Sequence, residues 1–174
     1  SLQVLPPSGG FSVTEVHDAL RQRPARSVHM FAVPTMVGRL VGGGGPAPPA
    51  DRAALEAVKT IAYGGGPMYL ADLQRAMRVL GPGRLVQLYG QAEAPMTITA
   101  LSKTAHDDSS RARWRERLAS VGVARDGVEV RVVGRSGEPL PSGEVGEVVC
   151  RGEVVMLGYW RNEAATAAAI DRDG

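Results

Sequence analysis

Short apolar runs that stop at glycine or proline, separated by stretches of helical periodicity, constrain this chain most. Val28 to Val33 is a continuous apolar run closed by Pro34, Thr60-Ile61-Ala62-Tyr63 runs into Gly64-Gly65-Gly66-Pro67, and Arg84 to Tyr89 runs into Gly90. Runs of this length bounded by breakers suit buried strands of a parallel sheet, whose two covered faces leave no room for polar alternation. Between them lie helix signals. Ser12 with Glu15 three residues on forms a capping box ahead of Val16, Ala19 and Leu20, and Asp51 caps a short helix carrying Ala54, Leu55 and Val58. Leu70, Leu73, Met77 and Leu80 share one face of a helix that stops at Gly81-Pro82. Strand alternating with helix predicts an α/β fold, a parallel-type sheet flanked by helices. Leu2 to Leu5 is a further short run before Pro6-Pro7, and Gly42 to Gly45 with Pro46, Pro48 and Pro49 reads as a surface loop.

The period then changes. After Asp108 a helix is predicted to carry Trp114, Leu118 and Val121, ending at Gly122. Beyond it Val128, Val130 and Val132 alternate with Glu129 and Arg131, Gly134-Arg135-Ser136-Gly137 forms a turn, and Glu144 to Cys150 alternates again. This is hairpin chemistry, so residues 1–126 are expected to form the sheet portion and residues 127–174 a β-rich, barrel-like portion. Asn162 caps a short Ala-rich helix near the end.

A chain of 174 residues with 44% hydrophobic and 22% charged residues has enough apolar surface to build a core and lies outside the disordered regime. Its net charge of +2 does not call for nucleic acid. The alternation Arg111, Arg113, Arg115, Arg117 reads as a solvated helix face. No apolar run reaches the ~18 residues of a membrane helix. With Cys150 alone no intramolecular disulfide can form, which suits a reducing compartment, and cytoplasm is the expected location.

Ligands of open α/β sheets gather beyond the carboxyl ends of the strands, so Gly64-Gly65-Gly66-Pro67 and Tyr89-Gly90-Gln91-Ala92-Glu93 are the candidates for a shared crevice. Three glycines let a flat group lie against backbone, Tyr89 offers a stacking face, and Glu93 offers a hard oxygen for Mg²⁺. By residue type alone the same positions are more often a tight turn, a half-buried packing tyrosine and a solvated carboxylate. Other chemistries lack their motifs. There is no phosphate-binding G-x-x-x-x-G-K-[ST] and no G-x-S-x-G elbow, and His17, His29 and His106 show no metal spacing. His17 is expected on a helix surface, His29 in or beside a strand, and Cys150 as a small core residue.

Val33-Pro34-Thr35-Met36, Gly64-Gly65-Gly66-Pro67-Met68, Tyr89-Gly90-Gln91-Ala92-Glu93, Gly143-Glu144-Val145-Gly146-Glu147-Val148 and Gly158-Tyr159-Trp160 with Thr166 and Asp173-Gly174 occur in this order. The series resembles the adenylate-forming (AMP-binding) enzymes over almost the whole chain, with most likeness to fatty-acid and related acyl-CoA ligases. The resemblance implies an enzyme that joins a carboxylic acid to ATP as acyl-adenylate and passes the acyl group to CoA, with Mg²⁺ on the phosphates. It implies that Gly64, Gly65, Gly66 and Pro67 line the adenine and acyl pocket, and that Tyr89 packs on the adenine. It further implies that Gly90 brings backbone to the carboxylate and α-phosphate, that Gln91 and Ala92 belong to the same nucleotide-binding segment, and that Glu93 is the catalytic metal ligand. Ala92 departs from the family's usual Thr and removes a hydroxyl that contacts phosphate, worth about 0.5–1.5 kcal/mol.

The family's Lys-containing phosphate loop, its ribose-binding Asp and its C-terminal catalytic Lys have no counterpart here. The chain is therefore expected to be an internal piece of the large domain, inactive in isolation. Two alternatives stand beside the CoA ligase: an acyl-AMP ligase or peptide-synthetase adenylation domain that loads a carrier protein, and a non-catalytic nucleotide-binding or interaction module.

Overall fold

The computed structural model describes residues 10–43 and 48–171. Leu2 to Leu5, part of the Gly/Pro-rich loop and Asp173-Gly174 therefore lie outside the described residues.

The chain divides into two compact units, one formed by residues up to Leu88 together with Leu101–Gly122, the other by Tyr89–Ala100 and Val123–Gly174. In the first unit α1 (Val13–Arg21) starts where the Ser12 hydroxyl accepts from the Glu15 N–H at 3.4 Å. Its buried residues Val13, His17 and Leu20 recur at helical spacing. His17 is thus a core-facing residue, only 4% exposed, and not the surface histidine expected from its polarity. Strand β1 (Val28–Ala32) ends before Pro34, and the same proline opens α2 (Pro34–Leu40), a helix not anticipated. The fixed φ of proline suits a first helical position as well as it disfavours a strand interior, so one residue carries both signals. Asp51 caps α3 (Arg52–Leu55), its Oδ1 accepting from Ala54 N at 2.9 Å. Val58, expected on that helix, instead begins β2 (Val58–Tyr63). Helix α4 (Leu70–Leu80) buries Leu73, Ala76 and Leu80, with Leu70 and Met77 half-buried beside them.

Strand β3 (Leu85–Gln91) runs one residue past the expected stop at Gly90, and β4 (Ala94–Leu101) follows after the turn Ala92-Glu93. Pro95 inside the β4 segment obscures that strand in the sequence, since proline cannot donate to a ladder. Strands β1, β2 and β3 are parallel, with Ala32 opposite Tyr63 and Tyr63 opposite Gln87. With β4 and the short β5 (Val123–Ala124), antiparallel to β4, the sheet order is β1-β2-β3-β4-β5. Residues 94–100 of β4 and all of β5 belong to the second unit, whereas two short helices, α5 (Lys103–Asp107), also not anticipated, and α6 (Trp114–Leu118), belong to the first. Val121 falls beyond α6 and is 38% exposed. Of the arginine alternation, only Arg115 and Arg117 lie in the helix, while Arg111 pairs with Asp108 and Arg113 with Glu116.

In the second unit β6 (Glu129–Val133) and β7 (Glu147–Arg151) form an antiparallel ribbon in which Val130 faces Cys150 and Val132 faces Val148. The barrel-like expectation resolves into this two-stranded ribbon; among the described residues no barrel closes. Asn162 Oδ1 accepts from Ala165 N at 3.1 Å to cap α7 (Glu163–Ala169). Among the described residues no helix is long and apolar enough to cross a membrane.

Candidate functional site

The Gly64–Pro67 segment belongs to the first unit and springs from the carboxyl end of β2, which lies between β1 and β3. Gly64 is buried while Gly65, Gly66 and Pro67 are exposed. Gly65 sits at φ +78, where an L side chain is strained, so the bend requires glycine. A Cβ on Gly66 would meet nothing nearer than Pro34 Cδ at 3.9 Å, which places the loop beside the start of α2 and leaves open space over its backbone.

Tyr89, Gly90, Gln91, Ala92 and Glu93 belong to the second unit. Tyr89 is half-buried against a small cluster formed by Ala94, Ile98 and Val128, to which Val130, Cys150 and Val154 also contribute. Its hydroxyl accepts from Gln91 Nε2 at 3.4 Å. Cys150 is thus the small packing residue expected, and burial pushes its thiol up. A Cβ on Gly90 would come within 2.2 Å of both Ala94 O and Met96 N, so the chain can double back here only over a bare α-carbon. Gln91 and Ala92 are exposed at the turn.

Glu93 is the residue this arrangement fixes. Its carbonyl accepts from Met156 N at 2.7 Å, and its carboxylate accepts from the Tyr159 hydroxyl. Tyr159 is held in turn by its backbone N–H on Thr166 Oγ1 at 2.9 Å, and that hydroxyl donates to Asn162 O at 2.8 Å. The Tyr159 hydrogen bond holds the Glu93 carboxyl below its ordinary range, and the same bond raises the phenol. Glu93 is therefore an anion at neutral pH, presented at a turn with one oxygen tethered. Tyr159 is the side chain that holds the Glu93 carboxylate. It appears in Gly158-Tyr159-Trp160, yet nothing local links it to a carboxylate 66 residues earlier.

Among the described residues no group of three or more His, Cys, Asp or Glu could hold a metal ion. Mg²⁺ binds through one or two carboxylates and takes its other oxygens from phosphates and water. One ionised carboxylate at an exposed turn is a suitable donor for such a shared site.

The sequence profile of a family described as AMP-binding enzyme matches residues 9–160. Feruloyl-CoA synthase of an Amycolatopsis species is 40% identical over 147 residues, 83% of this chain and 26% of that protein. The medium/long-chain-fatty-acid–CoA ligase FadD8 of Mycobacterium tuberculosis is 35% identical over 120 residues, 69% of this chain and 19% of that protein. Among solved structures, the amide bond synthetase McbA of Marinactinospora thermotolerans superposes with a TM-score of 0.73 at 32% identity, covering 94% of this chain and 30% of that one. The chain thus spans about a quarter of the length of the curated relatives it matches first.

Proposed function

The chain belongs to the AMP-binding enzyme family, and on that premise we propose that it is the nucleotide-facing portion of an ATP-dependent acid–thiol ligase. In that reaction a carboxylate oxygen attacks the α-phosphorus of ATP, and the bond to pyrophosphate breaks. The CoA thiolate then attacks the acyl carbon, and AMP leaves with its oxygen. Gly64, Gly65, Gly66 and Pro67 line the adenine and acyl pocket, Tyr89 stacks on the adenine, and Gly90 brings backbone to the carboxylate and α-phosphate, with Gln91 and Ala92 in the same nucleotide-binding segment. Glu93 holds Mg²⁺, which supplies neutralisation of charge on the phosphates when bound.

The observation that carries this reading is Glu93 itself: an ionised carboxylate fixed at a turn by Tyr159, inside a family match that runs from residue 9 to 160. The named relatives differ in acyl group, one feruloyl and one fatty, and McbA is named for an amide rather than a thioester. We read the shared element as adenylation of a carboxylic acid, with the open backbone of Gly66 accommodating a long or bulky acyl group. CoA is the acceptor in this reading. The portion up to residue 126 and the β-rich portion from 127 onward are two parts of one large catalytic domain. The cytoplasm, where ATP and CoA are available and the lone Cys150 stays reduced, is the proposed location.

The test is ATP–pyrophosphate exchange by the product of the complete reading frame around this segment, with fatty, hydroxycinnamic and short carboxylic acids. Exchange dependent on one acid class, followed by CoA-dependent AMP release, is expected. A well-folded product that exchanges with no acid contradicts the proposal.

A further inference from the structure

A buried polar chain in the first unit lies directly behind the Gly64–Gly66 loop and has no part in the scheme above. His106, on α5, is 1% exposed, and its Nε2 lies 2.9 Å from the hydroxyl of Tyr63, the last residue of β2. Its Nδ1 lies 2.7 Å from the carbonyl oxygen of Ser102. A carbonyl only accepts, so Nδ1 carries the proton. In the neutral ring Nε2 is then the acceptor, and the Tyr63 hydroxyl must donate. Neutrality follows from burial, which pushes His106 below its ordinary range and Tyr63 above its own.

The helix that carries His106 is fixed independently at three points. Lys103 Nζ donates to Lys59 O at 3.0 Å and to Thr60 Oγ1 at 2.6 Å, both on β2. Trp114 Nε1 donates to His106 O at 2.8 Å from α6, and Asp107 Oδ2 accepts from Gly83 N at 2.6 Å. Tyr63 is fully buried between Ala32 of β1 and Gln87 of β3, and the next residue is Gly64. A glycine-rich loop has little of its own to hold it, because three consecutive residues without side chains gain nothing from packing. Its anchor on the strand side is therefore the tyrosine that precedes it.

We propose that His106 is a positioning residue: through its hydrogen bond to the Tyr63 hydroxyl it fixes the end of β2 and thereby the Gly64–Gly66 loop against which the acyl-adenylate is formed. The proposal rests on the adenylation reading for its consequence in catalysis, and on the buried geometry alone for its consequence in loop order.

The test uses the product of the complete reading frame and the variants Tyr63→Phe, His106→Leu and His106→Gln. Loss of one buried partner is expected to raise the KM for the acid about tenfold in Tyr63→Phe and His106→Leu, with kcat changed less than threefold. His106→Gln places an amide oxygen where Nε2 was and is expected to restore the KM to within about threefold. Amide hydrogen exchange over residues 64–69 should accelerate in the two disrupting variants and recover in His106→Gln. Leu73→Ala in the same core costs stability while leaving both partners of the hydrogen bond in place, and should leave the KM for the acid unchanged. If His106→Leu does not fold, Tyr63→Phe carries the test.

Unchanged KM and unchanged loop exchange in Tyr63→Phe overturn the proposal, as does a KM rise of equal size in Leu73→Ala. If the unmodified enzyme shows no acid-dependent exchange, the adenylation reading fails separately. Loop hydrogen exchange then decides alone whether His106 positions this segment.

Discussion

The two units hold their candidate residues by different physics. In the first, Val37, Ile61, Tyr63 and Leu73 are completely buried in one contiguous apolar cluster, and the Gly64–Gly66 loop leaves a strand at its centre. In the second, the buried apolar cluster is Ala94, Ile98 and Val128, while Val123, Val145, Val148, Leu157 and Trp160 are exposed. Its candidate residue Glu93 is held by hydrogen bonds from Met156 and Tyr159, and Tyr159 in turn by Thr166. A core fixes position through many small contacts that fail together, whereas a polar relay fixes it through a few directional bonds that can be removed one at a time. Damage to the first unit should therefore appear as lost stability, and damage to the second as misplaced side chains.

Leu73→Ala is the largest expected break in that contrast. A fully buried leucine truncated to alanine costs about 2–5 kcal/mol, read as a lower urea midpoint. Val145→Ala, at a residue 95% exposed, should shift the midpoint by less than about 0.5 kcal/mol. Equal effects would erase the distinction between the units. Gly90→Ala comes next, because its methyl must displace the backbone of Ala94 and Met96; overpacking of this kind costs about 1–3 kcal/mol. The disturbance should be confined to the turn, seen as faster amide exchange at residues 89–96 with the core of the first unit still protected. Asn162→Ala removes the cap of α7 and should cost about 1 kcal/mol, checked by amide exchange along that helix.

The smallest effect is a pH dependence. His106 is buried neutral with its proton affinity lowered, so its contribution to stability is complete above the unfolded histidine pKa of about 6.5. It declines as pH falls from there through the lower folded-state value, because the unfolded chain then binds the extra proton. The urea midpoint should therefore fall more steeply on acidification from pH 7 to 5 in the unmodified chain than in His106→Gln. Parallel curves would show that His106 is not held neutral.

Features with local causes were readable in the residues. Ser12, Asp51 and Asn162 each cap the helix that follows, and the runs at Val28, Thr60 and Arg84 each contain a strand, because these signals act within four residues. Elements with conflicting or short signals were not. Pro34 ends one strand and begins a helix, Pro95 sits inside β4, and α5 is only five residues long. The polarity of His17 points to solvent, whereas its spacing from Val13 and Leu20 puts it in the core. The candidate residues Gly64 to Pro67 and Tyr89 to Glu93 stood out by type, but their supports did not. Tyr63 and His106 are 43 residues apart, and Glu93 and Tyr159 are 66 apart, so only the folded backbone brings each pair together.

Glu93 is proposed as the metal-binding carboxylate of an adenylating enzyme. Its most direct test is acid-dependent ATP–pyrophosphate exchange by the complete reading-frame product, unmodified and as Glu93→Gln, across a range of Mg²⁺ concentrations. Glu93→Gln keeps the shape and an acceptor for Tyr159 but removes the charge. A loss of about 10²–10³-fold in exchange is expected, the size seen when one group stabilising transition-state charge is removed, with partial recovery at high Mg²⁺. Undiminished exchange with an unchanged Mg²⁺ requirement would contradict it.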